Sequence, residues 1–427
     1  MTTVAPRSGS AQATRAGRLV GVDVARFFAV FGMFCIHFAV PFTTGAVHDR
    51  ISEFAGGRST ALFTLLAGVS LALMTGRQEP PTGAKLRDAR LRVAVRAGIL
   101  LVVGWILVKA TEDTGFLLTV IIPFYGMYFL LSVPFLRMRS RGLITAAVVA
   151  VLAGPQLSFV LRGWVESDTP LAGLVAMVNS VDPAHQFADE GIFDLLLLGF
   201  YPAMSYMPLV LAGLAVGRMD LRSTATRVWI AAVGLVLALG ARWLSKALVI
   251  TEPPGPNDGT VDVHHPEWLL DASSHSGTSF EIVSAAGVAL VALAVCLAVA
   301  DLAGKWITPL ANAGSMALTL YALHVLVMNW QVVVGGWHLC GKPQWMTELA
   351  TAGPNLPLDD PELPSFPRDA SEPEGLARFV NIYIAEIFLI FALAFANLWR
   401  RFFRRGPLEA FTSDAVVWCM KRLQPRA

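Results

Sequence analysis

The chain has 427 residues, 55% of them hydrophobic and only 15% charged, with a mean hydropathy of +0.58. Soluble domains carry about 25% charged residues, so this composition excludes a soluble globular protein and points to an integral membrane protein. The net charge of +2 says little as a total, and nothing in it calls for a nucleic-acid partner.

Residues 1–17 are polar and rich in small side chains, which predicts a disordered cytoplasmic N-terminus ahead of a single transmembrane domain over 18–405 and a cytoplasmic tail over 406–427. Apolar runs long enough to span a bilayer lie near 20–44, 59–76, 92–110, 115–136, 142–162, 201–217, 228–250, 279–302, 309–333 and 379–399. They predict an all-α, polytopic transmembrane helical bundle of about ten spans. No small-residue cleavage site follows the first run, so it reads as an uncleaved span. The second run is short, and Pro123 and Pro134 are expected to kink the fourth.

Orientation follows from the loop arginines and lysines. Arg7, Arg15 and Arg18 precede the first span; Arg77, Lys85, Arg87, Arg90, Arg92 and Arg96 fill the next inner loop. Arg137, Arg139 and Arg141, then Arg218, Arg222 and Arg227, then Lys305, then the basic tail continue that side. The alternate connections are acidic or neutral, which predicts both termini in the cytoplasm of a multi-pass protein of the cell (inner) membrane. Three outer loops are long, over 163–200, 251–278 and 334–378, and the last is rich in proline. The four cysteines, Cys35, Cys296, Cys340 and Cys419, have neither a disulfide-framework pattern nor metal-ligand spacing, and no metal is expected.

The stretch Gly21–Thr44 is apolar yet carries Asp23, Arg26 and His37. Ionisable groups in a span are costly and face a protein interior or a water-filled cavity. Arg26 and His37 stand 11 positions apart, which is about 16 Å of helical rise and within about 20° of one face. An imidazole in that setting serves as a general base or as a nucleophile, and Pro41 leaves the His37 carbonyl without its helical partner. Asp23 and Arg26 form an i, i+3 pair, read either as snorkelling charges or as a contact for a phosphate-bearing cytosolic donor.

At the start of the second span, Arg58 and Ser59 are candidates for binding an acceptor or an oxyanion, with Ser59 as a helix cap the plainer reading. His275 and Glu281 enter the eighth span from outside, where hydroxyl caps are routine. Tyr321 and His324 sit at i, i+3 in the ninth, where hydrogen bonding between helices is the simpler role. His48, His264, His265 and His338 carry no specific signal.

Five blocks in order resemble a known family: RLVGVDVARFFAVFGMFCIH, GRSTALFTLLAGVSLAL, HSGTSFEIVSAAG, GSMALTLYALHVLV and RRGPLEAF. They look like the YeiB-like ten-span bacterial membrane proteins, also described as heparan-alpha-glucosaminide N-acetyltransferase-like, within a transmembrane acyltransferase superfamily that includes the acyltransferase-3 proteins. The acyltransferase-3 branch has an arginine, ten residues, then a histidine on its first helix, a spacing that Arg26 and His37 match. The resemblance implies an acyltransferase, most simply an acetyltransferase, that takes acyl-CoA (acetyl-CoA) from the cytosol. The acceptor would be an extracytoplasmic sugar, glycan, glycolipid or small molecule, with a homodimer left open. Arg26, with Arg87, Arg90 or Arg96, would hold the donor phosphates; His37, with Arg26 and Asp23, would serve the chemistry. Arg58, Ser59, His275, Glu281, Tyr321 and His324 would shape the acceptor side. The rival expectations are a transporter or lipid flippase built on the same buried groups, and a non-catalytic partner of an envelope enzyme.

Overall fold

The structure, a computed structural model, describes residues 18–39, 55–112, 119–167, 169–250, 260–334 and 384–423. The N-terminal tail over 1–17, Pro41, His48, His338, Cys340 and the proline-rich loop over 334–378 lie outside the described residues or, for that loop, almost wholly so.

Among the described residues the chain is all helix, with no strand. The helices are α1 (Val20–Ala39), α2 (Arg58–Met74), α3 (Gly83–Glu112), α4 (Ile122–Ser132), α5 (Ser140–Glu166), α6 (Pro170–Asn179), α7 (Pro183–Ala188), α8 (Ala203–Gly217), α9 (Thr224–Leu248), α10 (Ser279–Ala303), α11 (Thr308–Gly314), α12 (Ala317–Val334), α13 (Ile384–Phe402) and α14 (Pro407–Leu423). Five stretches are long and apolar enough to cross a membrane: Val20–His37, Gly83–Thr111, Ser140–Glu166, Thr224–Leu248 and Ser279–Gly314. Shorter apolar helices, α2 and α8 among them, are nearly buried along their length, as a helix without a polar face must be. This is the expected polytopic helical membrane protein.

Three local expectations change. The arginines assigned to an inner loop, Arg87, Arg90 and Arg92 with Lys85, stand on α3, which begins at Gly83 rather than near 92. Arginine and lysine are good helix formers whose heads reach water while their stems lie on apolar surface, so a charged run there extends the helix. Pro123 and Pro134 stand at helix starts rather than within one continuous helix: Pro123 lies in the first turn of α4 and Pro134 in the first turn of the 3-10 helix Val133–Arg137. Proline lacks only the amide that a helix start leaves unbonded anyway. The outer segment 163–200 is not an open loop either, since it holds α6, α7 and a π-helical turn over Asp194–Leu198.

α1 packs against α2, α10, α11, α12 and α13. The approach is close because small residues remove the side chains between backbones. A Cβ on Gly314 of α11 would overlap the carbonyl oxygen of Asp23, and one on Gly21 would meet the backbone of Cys296 and Leu297 in α10. Gly68 and Gly213 do the same reciprocally for α2 and α8.

The last helix reaches back into the bundle. Glu409 of α14 accepts from the backbone amides of Leu318 (2.8 Å) and Thr319 (3.1 Å) and from the Thr319 hydroxyl (2.5 Å). Those are orphan donors of the first turn of α12, so one carboxylate caps that helix from a distant part of the chain. The Leu408 amide donates to the same hydroxyl at 3.1 Å. Glu409→Ala leaves these donors without their acceptor, and a lost bond to a charged group costs about 1–3 kcal/mol. We expect a lower thermal midpoint for this variant in detergent, with Glu409→Gln falling between it and the native chain; equal midpoints for all three would contradict the cap.

Candidate functional site

α1 distributes its ionisable groups between its two ends. At the first, Asp23 is buried and bridges two arginines: Arg18 Nε donates to Oδ2 at 2.6 Å and Arg26 Nη1 to Oδ1 at 2.7 Å. Arg26 Nη2 continues to the Ser70 hydroxyl of α2 at 2.6 Å. Asp23 thus fixes the Arg26 guanidinium while only one carboxylate offsets two cations. Arg96 of α3 stands within electrostatic reach of Arg26, Arg405 and Glu409, and Arg400 within reach of Arg18 and Asp23. Five arginines therefore gather around two carboxylates, a surplus suited to phosphate. Of the other arginines expected there, Arg90 is half-buried with Nε unpartnered, and Arg87 is exposed on the same side of α3's first turns.

At the other end, His37 meets His324 of α12. His37 Nδ1 lies 2.9 Å from His324 Nε2, and the ring planes are 6° apart. His324 Nδ1 lies 2.5 Å from the Tyr321 carbonyl oxygen. A carbonyl only accepts, so His324 Nδ1 must carry the hydrogen and, in the neutral ring, Nε2 the lone pair. His37 Nδ1 is then the donor between the rings, and its own lone pair sits on Nε2, which has no partner among the described residues. Two histidines that are 287 positions apart thus define one tautomer with a basic nitrogen to spare. Phe34 at 5.0 Å and Tyr321 at 4.8 Å pack on the His324 ring and hold its plane. The Tyr321 hydroxyl accepts from the Ile121 amide at 3.0 Å, the helix-bridging role that was the simpler expectation for it.

The loop before α10 supplies the third part. Thr278 caps α10 by accepting from the Glu281 amide at 3.1 Å, and the Glu281 carboxylate reaches back to the amides of His275 and Gly277, both at 2.7 Å. This is a capping box extended by one turn of loop. His275 (φ 63°) and Gly277 (φ 65°) both adopt left-handed backbone so that their amides converge on Glu281. The His275 ring lies against Phe200 (4.9 Å) and Tyr201 (5.8 Å), its Nδ1 is buried without a partner, and it stands within electrostatic reach of His37. Ser59 is not a cap: Gly57 precedes α2 without a side-chain bond, and Ser59 is buried against Gly32 of α1. Arg58 instead lines a small pocket with Glu281, Ser274, Ser284 and Arg242.

The expected residues therefore fall into three groups: Asp23, Arg26 and Arg96; His37, Tyr321 and His324; and Arg58, His275 and Glu281, with Ser59 packing beside the last. Sequence reasoning missed Ser70 and Arg242. Ser70 is a lone hydroxyl in an apolar helix, a visible if weak signal; Arg242 near the end of α9 reads as an ordinary interfacial charge.

One family profile, described as an acyltransferase domain and belonging to the acyltransferase-3 group, matches residues 19–349, which is well over half of the chain and runs from α1 through α12. No curated protein matches the chain.

Burial holds His275 below its ordinary 6.5, at about 4. A depressed histidine stabilises the fold above its unfolded value and loses that contribution as pH falls towards the folded one. Thermal midpoints should therefore drop between about pH 6.5 and 4, and His275→Phe should flatten that limb. An unchanged limb in the variant would rule out this assignment.

Proposed function

The chain belongs to the acyltransferase-3 family, and from that premise we propose that it is a membrane acyltransferase that carries an acyl group from cytosolic acyl-CoA to an acceptor on the far side of the cytoplasmic membrane. The arginine-rich end faces the cytoplasm in this reading, as the distribution of basic residues favours. Arg26, held by Asp23, and Arg96 take the phosphates of the donor, with Arg87 and Arg90 along the same flank of α3. The thioester end then extends up to about 16 Å along α1 to His37, the rise of eleven helical residues.

The observation that carries the reading is the bond from His37 to His324 and on to the Tyr321 carbonyl, which leaves a lone pair on His37 Nε2. That nitrogen can remove the proton from an acceptor hydroxyl or amine as its oxygen or nitrogen attacks the thioester carbonyl. The carbon–sulfur bond breaks, and the proton held on His37 passes to the departing thiolate. Alternatively Nε2 attacks the thioester carbon first, the carbon–sulfur bond breaks to release the thiolate, and the acyl group then passes from Nε2 to the acceptor, whose proton goes to the thiolate. In both routes His324 orients the ring and spreads the positive charge that develops on it, and His275, Arg58 and Glu281 border the acceptor. The resemblance to YeiB-like proteins favours an acetyl group and a sugar hydroxyl or amine, as in a glycan or glycolipid of a bacterial envelope.

Membranes that contain the protein should consume labelled acetyl-CoA when acceptor is supplied. Loss of a general base costs about 10²–10⁴-fold, so His37→Ala should lower kcat by that order. His324→Ala should lower kcat by a smaller factor, while Arg96→Ala should chiefly raise KM for the thioester. Near-native transfer by His37→Ala would overturn the mechanism, and no thioester consumption by the native protein with any acceptor would overturn the function.

A further inference from the structure

Arg242 projects from the last turns of α9 and has no hydrogen-bond or ion-pair partner among the described residues. A guanidinium on a membrane helix without a counter-charge is costly to keep and marks a site with an unmet anion. It lines a polar pocket with Arg58 at the start of α2, Ser274 of the loop, and Glu281 and Ser284 of α10.

The obvious internal partner is Glu281, yet that carboxylate is committed elsewhere. Each of its oxygens accepts a loop amide at 2.7 Å, and neither arginine lies within ion-pair distance of it. The hydroxyls are committed too, since Ser274 donates to the Gly56 carbonyl at 3.0 Å and Ser284 to that of Ala238 at 3.3 Å. What remains is a pocket whose open donors are the N–H groups of Arg242. These match the oxygens of a phosphate or carboxylate in geometry and charge.

The pocket is tied to the reacting end on two sides. Ser274 immediately precedes His275, which stands within electrostatic reach of His37. Ser59, next to Arg58, packs against Gly32 of α1, five residues ahead of His37.

We propose that this pocket is an oxyanion subsite, with Arg242 as its principal ligand, and that the acceptor therefore carries a phosphate or carboxylate beside the group that is acylated. The word acceptor rests on the acyltransferase reading; the oxyanion site does not. The anion can belong to a soluble sugar derivative or to a lipid headgroup, and both present the same oxygens.

The test needs no thioester. The full-length protein in nanodiscs of phosphatidylcholine alone is titrated with inorganic phosphate and with methyl phosphate, read by thermal midpoint and tryptophan fluorescence. A saturable response is expected, weakened about tenfold or more in Arg242→Gln, the effect of one bond to a charged group. Arg242→Lys, which keeps the charge, should retain most of the response, and His37→Ala should retain all of it. Circular dichroism and the ligand-free midpoint show whether Arg242→Gln is folded. A second series with phosphatidylglycerol in the disc separates the sources: competition with phosphate assigns a headgroup, and an unchanged phosphate response assigns a soluble acceptor. No saturable response in the native protein, or equal affinity in folded Arg242→Gln, overturns the proposal. A protein that binds phosphate but consumes no acyl-CoA would instead refute the acyltransferase reading and leave the subsite standing.

Discussion

A helix that lies in a bilayer must find partners for its charged and polar side chains within the protein, because lipid offers none. α1 carries three such groups, and each is met by a different part of the chain. Asp23 is held by Arg18 and by Arg26 on its own helix, Arg26 by Ser70 of α2, and His37 by His324 of α12. These bonds choose the neighbours of α1 and their rotation about it. Gly21 and Gly314 let α10 and α11 come close enough to seal the rest. Burial of α1 and the placement of the site are thus one requirement met once.

The same requirement separates the chemistry along the helix axis. The arginine surplus around Asp23 and Glu409 can exist only where water or a phosphate reaches it. The neutral histidine pair, which needs no counter-ion, occupies the apolar surroundings of Phe34 and Tyr321. Between the two ends α1 is lined by apolar residues such as Ala29, Val30 and Met33, all buried. A donor with a charged head and a thin uncharged arm fits this order of environments. A transporter would need its polar groups to line the path between the two ends.

Much of this was legible in the sequence because it is local. Asp23 with Arg26, and Tyr321 with His324, each stand three residues apart on one helix, so their adjacency follows from helical geometry. The capping box of Thr278 and Glu281 is local too. The pairing of His37 with His324 was not legible, since no periodicity links residues on two helices so far apart in the chain. The start of α3 was misread because its basic residues describe equally well a cytoplasmic loop and a helix that emerges from the membrane. Arg242 was missed for a related reason: a single arginine near a helix end has an everyday explanation, and only the neighbours that fail to pair with it remove that explanation.

The segment that matches the family ends at residue 349, whereas Glu409 lies well beyond it. That carboxylate nonetheless supplies the acceptors for the first turn of the helix that bears Tyr321 and His324. Synthesis runs from the N-terminus, so α1 with His37 is made before α12, and α12 before the carboxylate that caps it. A nascent or truncated chain that extends past His324 but stops short of residue 409 holds both histidines yet lacks the group that ties off α12. The order of manufacture therefore delays the capping of α12 until residue 409 has been made, after both ring-bearing helices are complete.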